Sequence, residues 1–130
     1  LYSQQFYAQI PKILSSKGVF ITQATSSYFS PNAFASVFNT IKSSNSSREV
    51  VAFQTNIPSF GEWGFVLSAP NSNAILSQKL PQELAYQNQE RLSYTVKKSV
   101  SNLPKTEIST LLTPKIVQYY EKDMKQWRYY

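Results

Sequence analysis

VVAFQTNIPSFGEWGFVLSA (residues 50–69) is the stretch that decides how this chain folds. Two apolar runs, Val50 to Ile57 and Trp63 to Ser68, flank the turn signal Pro58-Ser59-Phe60-Gly61. Both runs are rich in β-branched and aromatic residues, so both predict strands. The link between them is far too short for a crossover, so the second strand runs antiparallel to its neighbour. In the first run Val51, Phe53, Thr55 and Ile57 fall on one side.

Upstream, Val19 to Gln23 predicts another short strand. It shows no clean alternation, which favours a sheet covered on both faces. Ala24-Thr25-Ser26-Ser27 is its polar exit. Ser30-Pro31 then opens a helix, with Ser30 as the cap and proline in the first turn, where its missing N–H costs nothing. Phe34, Val37, Phe38 and Ile41 line one face of that helix, and a polar loop follows at Ser43 to Ser47. Strand, helix, strand predicts a parallel crossover. Before it, residues 3–16 read as an amphipathic helix capped by Ser3, with Phe6, Ile10, Ile13 and Leu14 on the apolar face. Pro11 predicts a kink, and Lys17-Gly18 a stop.

Downstream of Pro70-Asn71 the chain turns polar to about residue 108, where Leu76, Leu80, Leu84 and Leu92 hint at short helices. Thr113-Pro114 repeats the cap-plus-proline signal, and Ile116, Val117, Tyr120 and Met124 mark a helix to about Gln126. Trp127, Tyr129 and Tyr130 are expected to dock the tail. The order predicts an α/β fold, the carboxyl-terminal part of a doubly wound sheet with an antiparallel last strand. Residues 1–70 would form that half of the sheet, and residues 71–130 a polar connection and helical segment packed on the same domain.

Composition bounds the function. A length of 130 residues suits one small domain or a piece of a larger one. Nine Tyr, eight Phe and two Trp are a heavy aromatic load, most of it expected in core or interface. The net charge of +6 could favour an anionic partner, but Lys97-Lys98 and Lys122 to Arg128 are scattered basic positions with no longer run, so no nucleic-acid partner is expected. Without Cys or His, this segment has no disulfide, thiol or histidine chemistry and no Cys/His zinc site. No apolar run reaches the roughly 18 residues a membrane span needs, and no signal peptide is visible. The chain opens at Leu1 directly on a helical pattern, so an amino-terminal half of the same fold is expected upstream.

VFITQATSSYFSPNAF (residues 19–34) taken with VVAFQTNIPSFGEWGFVLSA resembles the polyamine aminopropyltransferases of the spermidine synthase type. In particular it resembles a bacterial branch whose members often carry an amino-terminal membrane region. LYSQQFY (residues 1–7) resembles the segment after their acidic catalytic loop, and TEISTLLTPKIVQYYEKDMKQW (residues 106–127) resembles their last helices. The likeness is weak over residues 72–105. It implies a methyltransferase-like sheet, with decarboxylated S-adenosylmethionine as co-substrate and a diamine such as putrescine as acceptor. It implies no metal and no cofactor held by this segment. The location implied is the cytoplasm, or the cytoplasmic face of the membrane if the upstream region is present. A homo-oligomer stays open. Two other readings stay open as well: an S-adenosylmethionine-dependent methyltransferase, and a catalytically dead scaffold relative.

In such a reaction the diamine must lose a proton before its nitrogen attacks, and a carboxylate can orient it and accept that proton. Apolar and aromatic walls hold the methylenes and can face a positive charge. Gln23 matches a family glutamine at a strand exit near the amine, though a turn-stabilising role is its plain alternative. Phe60 matches a position where better-known members have Tyr, so it could wall the amine slot without the phenol's hydrogen bond, or simply pack a turn. Ser59 could add a hydroxyl nearby. Glu62 could attract a cationic amine but reads first as an exposed turn carboxylate, Trp63 reads as a core or lid anchor ahead of a cation-binding face, Tyr28 and Phe29 read as core, and Tyr2 as approaching the catalytic loop. The family's glycine-rich donor loop and catalytic aspartate have no counterpart here. Asp123, the sole Asp, lies in the final helix and does not match the catalytic position. The segment by itself is therefore expected neither to bind donor well nor to turn over, and half a sheet would expose an apolar edge.

Overall fold

The computed structural model describes residues 1–71 and 100–128. Two short helices, α1 (Gln4–Tyr7) and α2 (Ile10–Ile13), lead into strand β1 (Phe20–Gln23). Helix α3 (Pro31–Ser44), strands β2 (Glu49–Ile57) and β3 (Gly61–Ala69), and helix α4 (Lys115–Lys125) follow. The expected hairpin forms at residues 57–61. Phe60 N donates to Ile57 O at 3.0 Å, and Ser59 and Gly61 take positive φ of 73° and 75°. Gly61 reaches that region without penalty because it has no Cβ.

The strand order is β1-β3-β2, and β3 is antiparallel to both neighbours. β1 and β2 therefore run parallel without touching, joined by α3, and the returning strand slots between them. Cross-strand partners share a face and successive residues alternate. The register sets Gln23 beside Phe65 and Phe65 beside Phe53; one step on, Ala52 lies beside Val66. On that second face Phe20, Val50, Ala52 and Val66 meet Phe34, Val37 and Ile41 of α3, with Tyr7 closing one end of the core.

Helix α4 packs against α3. Its Asp123, only 3% exposed, reaches the first turn of α3. Oδ2 accepts from the backbone N–H of Asn32 at 2.9 Å and of Ala33 at 3.0 Å, while Oδ1 accepts from Asn32 Nδ2 at 2.6 Å. This corrects the expected cap. Ser30 holds the cap position but its hydroxyl donates to Ser26 O at 3.1 Å, so the free N–H groups and positive end of α3 are met by a carboxylate from 91 positions away. Residues 100–113 run along the sheet and α3, tied by Val100 N to Ala52 O, Asn39 Nδ2 to Thr106 Oγ1 and Ser109 N to Thr40 Oγ1.

Other expectations shift. The helix over residues 3–16 is two single turns. Ser3 does cap the first, accepting from Phe6 N at 3.2 Å, but the break falls at Ala8-Gln9 ahead of Pro11, and the second turn ends at Ile13 rather than near Gly18. Tyr7 takes the core position, leaving Phe6 and Ile13 exposed. Proline in the first turn of a new helix avoids the lost hydrogen bond that it would cost mid-helix. β1 is not covered on both faces among the described residues, since Ile21 is 53% exposed. Pro114, not Thr113, holds the cap position of α4, and Val117 and Tyr120 of its expected apolar face stay exposed. Leu76, Leu80, Leu84, Leu92, Tyr129 and Tyr130 lie outside the described residues.

Candidate functional site

A hollow of about 130 Å³ opens at the carboxyl ends of β1 and β2, lined by Gln23, Ile57, Phe60, Trp63 and Phe65. The register explains four of the five. Gln23, Ile57, Trp63 and Phe65 all lie on the face away from α3, and Phe60 swings in from the turn between β2 and β3. The rings are ordered: Phe65 stacks on Phe53 with centroids 5.6 Å apart, and Phe60 meets Trp63 edge to face at 5.9 Å. Phe60 is 68% exposed, so its ring stands at the mouth. Parallel strand ends in α/β sheets are where ligands ordinarily bind.

The backbone behind the hollow is held tightly. Past Gln23, Ala24 N donates to Gly64 O at 2.9 Å, and Gly64 N donates to Thr25 O at 2.7 Å. Thr25 adopts φ of 65°, costly for a β-branched residue, and its hydroxyl meets Ser30 Oγ at 2.8 Å. Gly64 has no substitute at this point: a Cβ there would sit 2.3 Å from the Phe34 ring and 2.7 Å from Thr25 O. Across the same junction Ser27 Oγ donates to Gln54 Oε1, and Gln54 Nε2 donates to Glu62 Oε2 at 3.3 Å.

The structure thus brings together Gln23 and Phe60, 37 positions apart by their numbers. It does not bring in Ser59, which is exposed, lies in the turn and is not among the lining residues. Glu62 is exposed and held by Gln54, while Tyr2 lines a separate groove of about 240 Å³ between α3 and α4, with Ala24, Thr25, Ile116 and Tyr120 among its walls. Tyr28 and Phe29 are not core. They are 65% and 44% exposed and form an aromatic cluster with Trp127, whose Nε1 donates to Phe29 O at 2.9 Å. Ile57, Trp63 and Phe65 line the hollow without any local sequence signal that marks them as site residues. Alternation would have found them only with the β1-β3-β2 order in hand, because parity says nothing until the partner strands are known. Among the described residues no group of acidic, His or Cys side chains could hold a metal ion. No helix among them is long and apolar enough to cross a membrane.

No protein-family model matches the chain. It is similar to polyamine aminopropyltransferase 2 of Aquifex aeolicus, 34% identical over 125 residues, which is 94% of this chain and 24% of that protein. It is also similar to polyamine aminopropyltransferase 1 of Streptomyces coelicolor, 32% identical over 139 residues, covering 100% of this chain and 24% of the relative. The chain thus spans about a quarter of the length of the curated relatives it matches. In fold it is similar to the spermidine synthase of Thermotoga maritima, with a TM-score of 0.62 at 16% identity over 97% of this chain and 39% of that one. A spermidine synthase in complex with the transition state analogue AdoDATO matches equally, also at 0.62. The methyltransferase-like α/β reading of the sheet stands, and over nearly its whole length the chain is similar to about a quarter of the polyamine aminopropyltransferases it matches.

Proposed function

We propose that this chain supplies the amine side of an aminopropyl-transfer site, with Gln23 and Phe60 as substrate-binding residues. The observation that carries the reading is their meeting in one hollow at the strand ends, although they belong to different parts of the sequence. In the reaction the amine nitrogen's lone pair forms a bond to the methylene carbon next to the sulfonium of decarboxylated S-adenosylmethionine. The carbon–sulfur bond breaks, its electron pair goes to sulfur, and methylthioadenosine leaves. The extra proton on nitrogen passes to a base proposed to lie in the part of the parent protein outside this chain.

Gln23 has the right chemistry for the acceptor. Its carbonyl can take an N–H from an ammonium or amine, and its amide can donate to a neutral nitrogen's lone pair. Ile57 and Phe65 form apolar walls for methylenes, and the Phe60 ring closes the mouth. Orientation of the nitrogen is then the chain's contribution to rate. Support for the donor comes from the spermidine synthase of matching fold that binds a transition state analogue. Donor loop and catalytic acid are proposed to lie in the part of the parent protein outside this chain, which makes the chain alone inactive. Its partners are then a diamine and that remaining part of the fold.

The experiment uses the intact parent protein with putrescine and either S-adenosylmethionine or its decarboxylated form. Release of methylthioadenosine only with the decarboxylated donor and the diamine is expected. Methyl transfer from the carboxylated donor, or no turnover with either, sinks the reading.

A further inference from the structure

We infer that Ser30 is a positioning residue for amine use, acting through Thr25 on the exit of β1 and so on Gln23. Such a role rests on the amine reading above and goes beyond it, since Ser30 reads from sequence as a helix cap and is not among the residues lining the hollow. Its backbone does hold the cap position: Phe34 N donates to Ser30 O at 3.0 Å, the first bond of α3. Its hydroxyl, fully buried, makes no cap bond. It faces the loop after β1 instead. The hydroxyl has one hydrogen, which goes to Ser26 O at 3.1 Å. In the 2.8 Å contact with Thr25 Oγ1, Thr25 is then the donor and Ser30 the acceptor.

Thr25 needs that partner. A β-branched residue does not keep φ of 65° by its own preference, so the bonds around it must impose the angle. Besides the hydroxyl pair, Thr25 O accepts from Gly64 N at 2.7 Å, and Ala24 N donates to Gly64 O at 2.9 Å. These two bonds tie the exit of β1 to β3, just past the pair Gln23 and Phe65. Both members of that pair line the hollow. A Thr25 relaxed to an ordinary angle would let the exit of β1 move against β3, and Gln23 with it. Strain kept two residues from a binding amide thus serves pre-organisation, fixing the amide before the amine arrives. Ser30 is free for this because Asp123 caps α3 from α4. Two tasks that meet at one helix end fall to two residues: Asp123 holds the helix, and Ser30 holds the loop.

The test measures kcat and KM of the intact parent protein for putrescine and for the decarboxylated donor. Ser30→Ala removes the acceptor, and Thr25→Val removes the donor while keeping the branched shape. Each should lower kcat/KM for putrescine about tenfold, because the amide loses its fixed place. The donor KM should stay within about twofold. Thr25→Ser keeps the hydroxyl, and Asp123→Asn loosens the same helix end without touching Thr25. Both should hold kcat/KM for putrescine within about twofold of wild type. Thr25→Val carries the test if Ser30→Ala does not fold. Wild-type putrescine kinetics in Ser30→Ala and Thr25→Val overturn the inference. So does an equal loss in Asp123→Asn, which marks a general loosening of α3, or in Thr25→Ser, which shows that the hydroxyl is not what matters. Absence of methylthioadenosine release by wild type is a separate outcome: it removes the amine reading itself, and this inference with it.

Discussion

The two faces of the three-stranded sheet come from the same strands and treat their side chains oppositely. Under α3, Ala52 and Val66 are 3% and 0% exposed and share one buried cluster with Phe34. On the other face Ile21 is 53% exposed, and Trp63, Phe65 and Phe53 remain half-covered around a hollow. The difference teaches where stability and specificity sit. Close packing around Phe34 leaves little freedom there, whereas the open face can change side chains without disturbing the core. Substitutions on the first face should move stability, and those on the second should move amine use alone.

Gly64 offers the largest effect. It lies on the covered face with the fully buried Phe34 ring and the Thr25 carbonyl against it. Gly64→Ala has to displace an immobile ring or a backbone oxygen, so a loss of about 3 kcal/mol is expected, toward the upper end for overpacking. Urea unfolding checks it. A loss below 1 kcal/mol, within the ordinary scatter of surface changes and mild strain, would show that the face is looser than its contacts imply.

Asp123→Ala comes next. It strands the Asn32 and Ala33 N–H groups and removes a carboxylate from the positive end of α3. Loss of a cap together with unmet donors predicts about 2 kcal/mol. Asp123→Asn, which keeps an acceptor oxygen, should lose about half of that. Equal losses in the two variants would mean that charge, not hydrogen bonding, is what the site uses.

A smaller effect is expected from pH. Burial holds the Tyr7 phenol well above its usual range; Tyr2 adds to the rise and the Thr22 hydroxyl works against it. The unfolded phenol loses its proton near pH ~10 while the folded one keeps it. The folded state then binds more protons than the unfolded, so stability is flat below that pH and falls as pH rises above it. Tyr7→Phe should flatten the fall. Unfolding midpoints measured from pH 8 to pH 11 read the difference, and identical slopes would break the link between Tyr7 and the core.

Much of the fold is legible from local pattern. Val50 to Ser68 announces its hairpin, and Ser30-Pro31 its helix start, because turn chemistry and apolar runs act over a few residues. What escapes is set at long range. Nothing local tells that β3 enters between β1 and β2, so the parity placing Phe65 beside Gln23 cannot be worked out. Nothing near Ser30 tells that Asp123 will take over its capping role, since that contact depends on how α4 crosses α3. Tyr28 and Phe29 read as core because they are apolar and precede a helix, yet Trp127 gives them a surface cluster instead. Gln23 and Phe60 are reached only through resemblance, and Ser59 lies exposed in the turn outside the lining of the hollow.

The smallest stability change should come from Phe60, and it separates the two faces most directly. The ring is 68% exposed, and the turn beneath it is shaped by Ser59 and Gly61 rather than by the ring. Phe60→Ala should therefore shift stability by no more than about 0.5 kcal/mol, as surface changes do. Yet it removes one wall of the hollow and the ring that meets Trp63 edge to face. The putrescine KM of the intact protein should rise while the donor KM holds. Phe60→Tyr runs the other way: a phenol at the mouth adds a hydrogen-bonding group where the family motif carries one, and a net gain of about 1 kcal/mol would lower the putrescine KM about fivefold. If Phe60→Ala instead costs as much stability as Asp123→Ala, the open face is structural, and a hollow built from it has lost its claim to be a site.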